Sequence, residues 1–304
     1  MPAPLPAGRR PRRRDSLPIA VALAALLTAC GPTTRTETQT PARVEEPGAA
    51  PRSAGTMLMD AEGVNLSFAA IPAAVDDAPV AGIGAPAAQI AALRQAADRA
   101  YREEGTVLRE ALAADTTVPA DATDVVRSLD TLAKAHDAAV VRPWTGAQTV
   151  ALDRALAASP NRQAITALAA LMAASRFAGE RALTARRMAW ALERSRRGGP
   201  PPSLSDASDQ VAGMIAATRE AEDARGPAQA GTPGAGDHAL VQALMKLPAT
   251  DIATLTAWYG SAAGKAAKER LAGSFQGAND RAGRAMLIDF LTHAGPAADP
   301  SPGK

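Results

Sequence analysis

Between Ser159-Pro160 and Gly198-Gly199-Pro200 the sequence specifies a helix and leaves room for little else. The Ser159 hydroxyl can accept from a free backbone N–H at the helix entry, and Pro160 fits the first turn, where no N–H is needed. Gly-Gly-Pro ends a helix because glycine takes the closing left-handed turn and proline cannot continue the ladder. Along the stretch, Ile165, Leu168, Met172, Gly179, Leu183 and Trp190 fall on one face, flanked by Leu171, Ala178, Ala182 and Ala189. A stripe of that width has to be buried against other helices. Phe177 and Met188 lie roughly opposite, which requires burial on two sides or an exposed contact patch. The cluster Arg186, Arg187, Arg194, Arg196 and Arg197 suits the negative end of the helix dipole.

The partners for such a helix are also helical. Ile90, Leu93, Ala97, Tyr101, Val107, Leu108 and Leu112 predict a helix over 86–113, and Val125, Val126, Leu129, Leu132 and Val140 one from Asp121 to about 141, stopped by Pro143. A shorter helix follows Thr145, with Gln148 in the capping-box position. Further helices are expected from Ser205 to Gly226, over 237–247, 250–259 and 262–276, and from Arg281 to His293. Hydrophobic residues make up 47% of the chain and aromatics only 3%, with alanine supplying much of the difference. Alanine has the highest helix propensity and lets helices approach closely. The fold class is therefore all-α, a multi-helix bundle or helical array of roughly seven to nine helices. The one strand-like pattern is Met57-Leu58-Met59 and Val64-Asn65-Leu66-Ser67-Phe68 around Asp60-Ala61-Glu62-Gly63, which admits a small β-hairpin at 56–73. No internal repeat is evident.

The organisation that follows has a leader over 1–29, a disordered tether over 30–55 and a helical region over 56–225. A Gly/Pro-rich linker over 226–236, a C-terminal helical region over 237–295 and a disordered tail over 296–304 complete it. Five arginines (Arg9, Arg10, Arg12, Arg13, Arg14) precede an apolar run from Leu17 to Leu27. That order of charge and apolar run is the pattern of an export signal, and the run is too short to span a bilayer. It closes on Leu27-Thr28-Ala29-Cys30, which resembles the bacterial lipobox. The resemblance implies that Cys30 becomes the first mature residue and carries acyl chains such as palmitate, giving a membrane-anchored lipoprotein. Gly31 after it, rather than Asp, implies the outer membrane, facing the periplasm. Cys30 is the only cysteine, so an acylated chain keeps no thiol for disulfides or metals.

Removing residues 1–29 takes away five arginines and Asp15, which turns a formal net charge of +2 into −2. A nearly neutral chain of interspersed signs has no electrostatic footprint for nucleic acid.

One motif stands out in the helical part. Trp258-Tyr259-Gly260-Ser261-Ala262-Ala263-Gly264-Lys265 follows a helix carrying Ile252 and Leu255, itself preceded by Leu247-Pro248-Ala249-Thr250-Asp251. The segment resembles the signature of the exported bacterial domain of unknown function 2059, over roughly residues 238–275. Trp258 stands in the family's usual Phe position and Ala262 in its usual Pro position. The resemblance implies a helical exported domain and no particular reaction. Read from the residues, Ser261 can cap a second helix and Gly264 permits close approach, so the motif builds a helix corner. A peptide or glycan groove beside Trp258 and Tyr259 is the functional alternative.

Catalytic signatures are sparse. Gly82-Ile83-Gly84-Ala85-Pro86-Ala87 imitates a dinucleotide fingerprint, but no strand pattern precedes it. His136, His238 and His293 are far apart, none at metal-ligand spacing from another. Glu103, Glu104, Glu180 and Glu193 sit among neighbours that suit solvated helix faces, and Glu180 beside Arg176 and Arg181 reads as a surface pair. No catalytic residue, cofactor or metal ligand is assigned. The expectation is a lipid-anchored cell-envelope protein with a structural or protein-interaction role, binding the bilayer through Cys30 and an envelope protein through its helical body. Two alternatives stay open: a hydrolase acting on peptidoglycan whose carboxylates meet only in three dimensions, and an apolar-ligand carrier with Phe177, Met188, Trp258 and Tyr259 lining a cavity.

Overall fold

The computed structural model describes residues 52–114, 122–137, 146–198, 200–224 and 237–293. The leader, almost all of the tether, the lipobox with Cys30, the linker and the tail lie outside the described residues.

Helices account for 86% of the described residues and no strand occurs among them, so the protein is all-α. In chain order they are α1 (Ala54–Ala61), α2 (Val64–Ala69), a 3-10 turn (Ile71–Asp76), α3 (Ala78–Ala81), α4 (Ala87–Ala113), α5 (Thr123–Asp137) and α6 (Gly146–Ala158). They continue as α7 (Arg162–Leu171), α8 (Ala174–Arg196), α9 (Leu204–Asp223), α10 (Asp237–Leu244), α11 (Ala249–Gly260) and α12 (Ala262–His293). None is long and apolar enough to cross a membrane.

The hairpin admitted at 56–73 does not form. The Asp60–Gly63 turn is where the sequence puts it, but it joins two helices. Gly63 adopts φ 66°, the left-handed conformation that closes a helix, and the Glu62 N–H returns to the Leu58 carbonyl at 3.0 Å. Leu58, Met59, Val64 and Phe68 are all buried, on helical rather than alternating spacing. A second expectation fails in the opposite sense. Between Ser159 and Arg197 lie two helices, broken at Met172, whose ψ of 171° is extended. Ser159 is not the N-cap, because its hydroxyl accepts from the Asn161 N–H at 3.2 Å in a turn that holds Pro160, and α7 begins only at Arg162. Residues 262–293 form one helix of 32 residues, with no break at Gly277.

The long α12 is the axis of the packing. It lies against α4, α8, α9 and α11, while α5, α10 and α11 pack with α1 and α7 beside it. Small buried residues on α12 (Gly264, Ala267, Ala272, Ala278, Ala282, Gly283) let its neighbours come close. Where α2, α4, α8 and α12 meet, the few aromatics gather. Phe177 stacks on Phe275 at 4.4 Å between ring centres, Phe68 meets Phe275 edge-on at 5.4 Å, and Tyr101 lies 5.2 Å from Phe68. Burying each such ring contributes about 1.5–3 kcal/mol, and the ring geometry adds about 0.5–1.5 kcal/mol per pair. Phe177 and Met188 are thus both internal, and α8 is buried on two sides.

Residues on both sides of 226–236, Leu93 and Met188 as well as Leu240, Leu255 and Phe290, belong to one continuous core. The helical regions before and after the linker therefore pack as one unit.

Candidate functional site

α8 and α9 enclose an open groove of about 510 Å³, lined by Trp190 and Arg186 from α8 and by Gln210, Met214, Ala217, Thr218 and Ala221 from α9. The spacing explains the lining. Arg186 and Trp190 are one turn apart, and Gln210, Met214, Ala217 and Ala221 form an i, i+4, i+7, i+11 row along α9. At one rim Arg186 pairs with Glu222 at 2.6 Å. At the other Arg194 donates to Gln210 Oε1 at 3.2 Å. A second, more polar recess adjoins it through Gln210 and Arg194, walled by Pro200, Pro201, Pro202, Ser203, Asp206 and Asp209. Ser203 caps α9 by accepting from the Asp206 N–H at 3.2 Å, two residues before the start expected from Ser205.

Beneath the groove lies a half-buried ion quartet. The Arg219 guanidinium grips Glu180 and Asp280 together, with Nη2 2.6 Å from Glu180 Oε2 and 2.7 Å from Asp280 Oδ1. Arg187, 0% exposed, donates from Nε to Thr218 Oγ1 at 3.2 Å and brings Nη2 to 2.8 Å from Asp280 Oδ1. That last approach is an ion pair whose angle falls outside hydrogen-bond geometry. Asn279 Nδ2 donates to Glu180 Oε2 at 2.7 Å, and the Tyr101 hydroxyl donates to Asn279 Oδ1 at 2.6 Å with Thr184 beside it. Burial opposes the Arg219 charge, but its bonds to Glu180 and Asp280 outweigh that and raise its pKa further. Burial also pushes the Tyr101 phenol up. Two cations and two carboxylates balance, so the cluster consumes its own charges.

Glu180 therefore does not pair with its sequence neighbours. Arg176 reaches across to Glu269 and Arg181 to Asp77, each pair partly exposed. Arg187 and Asn279 had a readable signal. Each occupies a buried helical row at the place of an apolar residue, between Leu183 and Ala191 in one case and between Phe275 and Gly283 in the other. Arg219 and Asp280 gave none, because their partners lie on other helices.

Trp258, Tyr259, Ser261, Gly264 and Lys265 stand at the corner between α11 and α12. Ser261 Oγ accepts from the Gly264 N–H at 3.1 Å and donates to the Trp258 carbonyl at 2.6 Å, capping one helix while closing the other. A Cβ at Gly264 would lie 2.1 Å from the Trp258 oxygen, so the corner requires glycine. Trp258 packs edge-on against Tyr259 at 4.7 Å, both are buried, and Lys265 points to solvent. Phe177, Met188, Trp258 and Tyr259 line neither of the two cavities.

The corner has a partner that the sequence does not announce. The Tyr259 hydroxyl donates to Glu62 Oε1 at 2.7 Å, and Glu62 Oε2 accepts from the Ala173 N–H at 2.9 Å. Glu62 is 1% exposed. It holds the first turn of α8 and so accounts for the break after α7. Burial pushes its carboxyl up to about 7 against the pull of these bonds, and burial with the adjacent carboxylate pushes Tyr259 well above its ordinary value.

Among the described residues no group of three or more His, Cys, Asp or Glu could hold a metal. His136 is buried with Nδ1 3.1 Å from the Ala61 carbonyl, and burial lowers its pKa. His238 begins α10, and His293 ends α12 beside Asp289. Gly84, at φ 61°, closes a helical turn ahead of α4, with no strand before it. Leu27, Thr28, Ala29 and Cys30 lie outside the described residues. No known protein family, curated protein or solved structure matches the chain.

Proposed function

We propose that this chain is a lipid-anchored cell-envelope protein whose helical body holds a partner protein rather than turning over a substrate. The observation that carries the interaction reading is the α8–α9 groove. Its apolar floor of Trp190, Met214, Ala217 and Ala221 is open to solvent, and its helical walls suit an apolar helix or extended segment seated between them. The ionisable groups beneath the floor are already matched to one another, which suits a scaffold that keeps two helices at a fixed separation. The leader, the position of Cys30 and the resemblance of Trp258–Lys265 to an exported helical domain support placing that scaffold in the envelope, with acyl chains on Cys30 providing the bilayer contact.

The test has two arms. A photo-crosslinking residue at Ala217, in the groove, should capture one defined envelope protein in cells, and a Met214→Glu change should abolish the adduct. The same probe at exposed Ala182, which does not line the groove, should capture nothing specific. In parallel, Cys30→Ala should lose both acyl-chain label and membrane association. Equal crosslinking from both positions would sink the interaction reading, and an unchanged membrane fraction in Cys30→Ala would sink the anchor.

A further inference from the structure

We propose that Glu62 is a proton-operated clasp: with its proton in place it ties the α1–α2 joint to the start of α8 and to Tyr259 at the α11–α12 corner, and losing that proton loosens the three together.

Three parts of the chain far apart in sequence meet on this one carboxyl group. Glu62 caps the end of α1, Ala173 opens α8 and Tyr259 ends α11, and both carboxyl oxygens are engaged at 2.7 and 2.9 Å. The neutral acid can keep both bonds. Oε2, as the carbonyl oxygen, accepts from the Ala173 N–H, while Oε1 carries the proton and donates to the Tyr259 oxygen as the phenol hydrogen turns away. The ionised form keeps both acceptors but places a full negative charge in the core. Among the described residues no arginine or lysine forms an ion pair with it.

The groups that face it from each neighbouring element do not change this. From α11 comes Tyr259, neutral in the physiological range. From α12 comes Lys268, half-buried, whose charge favours the ionised form from a distance and is the weakest of the influences on it. From α8 comes the helix N-terminus. From α5 comes His136, whose ring fills the space beside Gly63 and whose burial favours the neutral imidazole. On α1 itself Asp60 is bonded to Asn65 and faces Arg52, Asp137 of α5 and Arg109 of α4.

Burial raises the Glu62 carboxyl from an ordinary 4.5 to about 7 in the folded chain. A group whose folded value is raised stabilises fully below its unfolded value, and the contribution disappears as pH rises through the folded value. Across pH 4.5 to 8 the folding equilibrium constant should therefore fall on the order of 100-fold from this group alone.

The experiment uses the full-length chain. Carbon-13 NMR of labelled glutamate side chains should show one carboxyl, absent in Glu62→Gln, titrating near neutral pH. Between pH 5 and 8 the thermal stability of the wild type should decline relative to that of Glu62→Gln, in which His136, whose folded pKa burial lowers, makes stability rise with pH. Amide exchange at Ala173 and Ser261, corrected for its intrinsic rise with pH, should accelerate above the midpoint. A midpoint near 4.5, or the same pH slope in Glu62→Gln, overturns the clasp. So does unchanged protection at Ala173 and Ser261. If Glu62→Gln fails to fold, Tyr259→Phe decides the matter. It removes a donor to the ionised carboxylate and should move the midpoint upward, and a midpoint that does not move overturns the proposal.

Discussion

Two polar clusters, one half-buried and one fully buried, solve the same problem in different ways. Under the α8–α9 groove, Glu180 and Asp280 are balanced by Arg187 and Arg219, and every carboxylate faces a guanidinium. At the α11–α12 corner a single carboxyl, Glu62, is met only by a phenol and a backbone N–H. Taking ions out of water costs several kcal/mol per ion unless opposite charges or protons offset it. The quartet offsets the cost with counterions, and its balance needs no titration. The clasp offsets it by retaining a proton, so its stability depends on the proton supply.

The contrast can be broken from either side. The largest effect is expected from Arg219→Met, which leaves Glu180 and one side of Asp280 uncompensated in a half-buried place. Urea denaturation should show a loss of about 2–4 kcal/mol, less than for a fully buried pair because the carboxylates keep some water, with the decline from pH 5 to 8 still present because Glu62 is untouched. A loss below 1 kcal/mol would place the quartet among ordinary surface pairs. Next comes Gly264→Ala, whose Cβ would lie 2.1 Å from the Trp258 oxygen. Opening the corner should cost about 1–3 kcal/mol and, by admitting water beside Glu62, should bring its midpoint back toward 4.5. Tyr101→Phe should cost about 1–2 kcal/mol by leaving Asn279 short of a donor in the interior, with no change in pH dependence. The smallest effect belongs to Arg176→Ala, which removes a half-exposed partner of Glu269 and should cost under about 1 kcal/mol. The Arg176 hydrogen bond holds the Glu269 carboxyl below its ordinary value, so what this pair contributes is present at neutral pH and is lost on acidification. The variant should differ least from wild type in acid.

How much of this was legible in the sequence follows from where each cause lies. α4 and α11 were readable to within a residue or two of their ends, and α9 to within three, because caps and periodicity are local. The break at Met172 was not. Leu171-Met172-Ala173-Ala174 contains no breaker, and the group that satisfies the new helix start is Glu62, 111 positions away. The continuity of α12 through Gly277 was hidden for the converse reason. A glycine weakens a helix by about 1 kcal/mol, and burial of Phe275, Ala278, Ala282 and Met286 around it outweighs that. The Ser261 and Gly264 corner was visible from its own residues, whereas its link to Glu62 was not. The apolar row on the α8 side of the groove was recognisable through Trp190. Its facing α9 is a property of the packing.

α9 is the most thinly attached of the long helices. Of its 20 residues only Ala207 and Val211 are fully buried, and it is fastened to α8 and α12 chiefly by Arg186–Glu222, Arg187–Thr218 and the Arg219 fork. An element held by polar fasteners instead of core burial opens as a local unit, at a free energy well below that of global unfolding. Its amides should exchange first among the long helices, and sooner still in high salt, which screens the more exposed of its ion pairs. Because α9 is also a wall of the groove, whatever occupies the groove has to order that wall. Occupancy should then be readable without knowing the occupant's identity, as slowed exchange along residues 204–223.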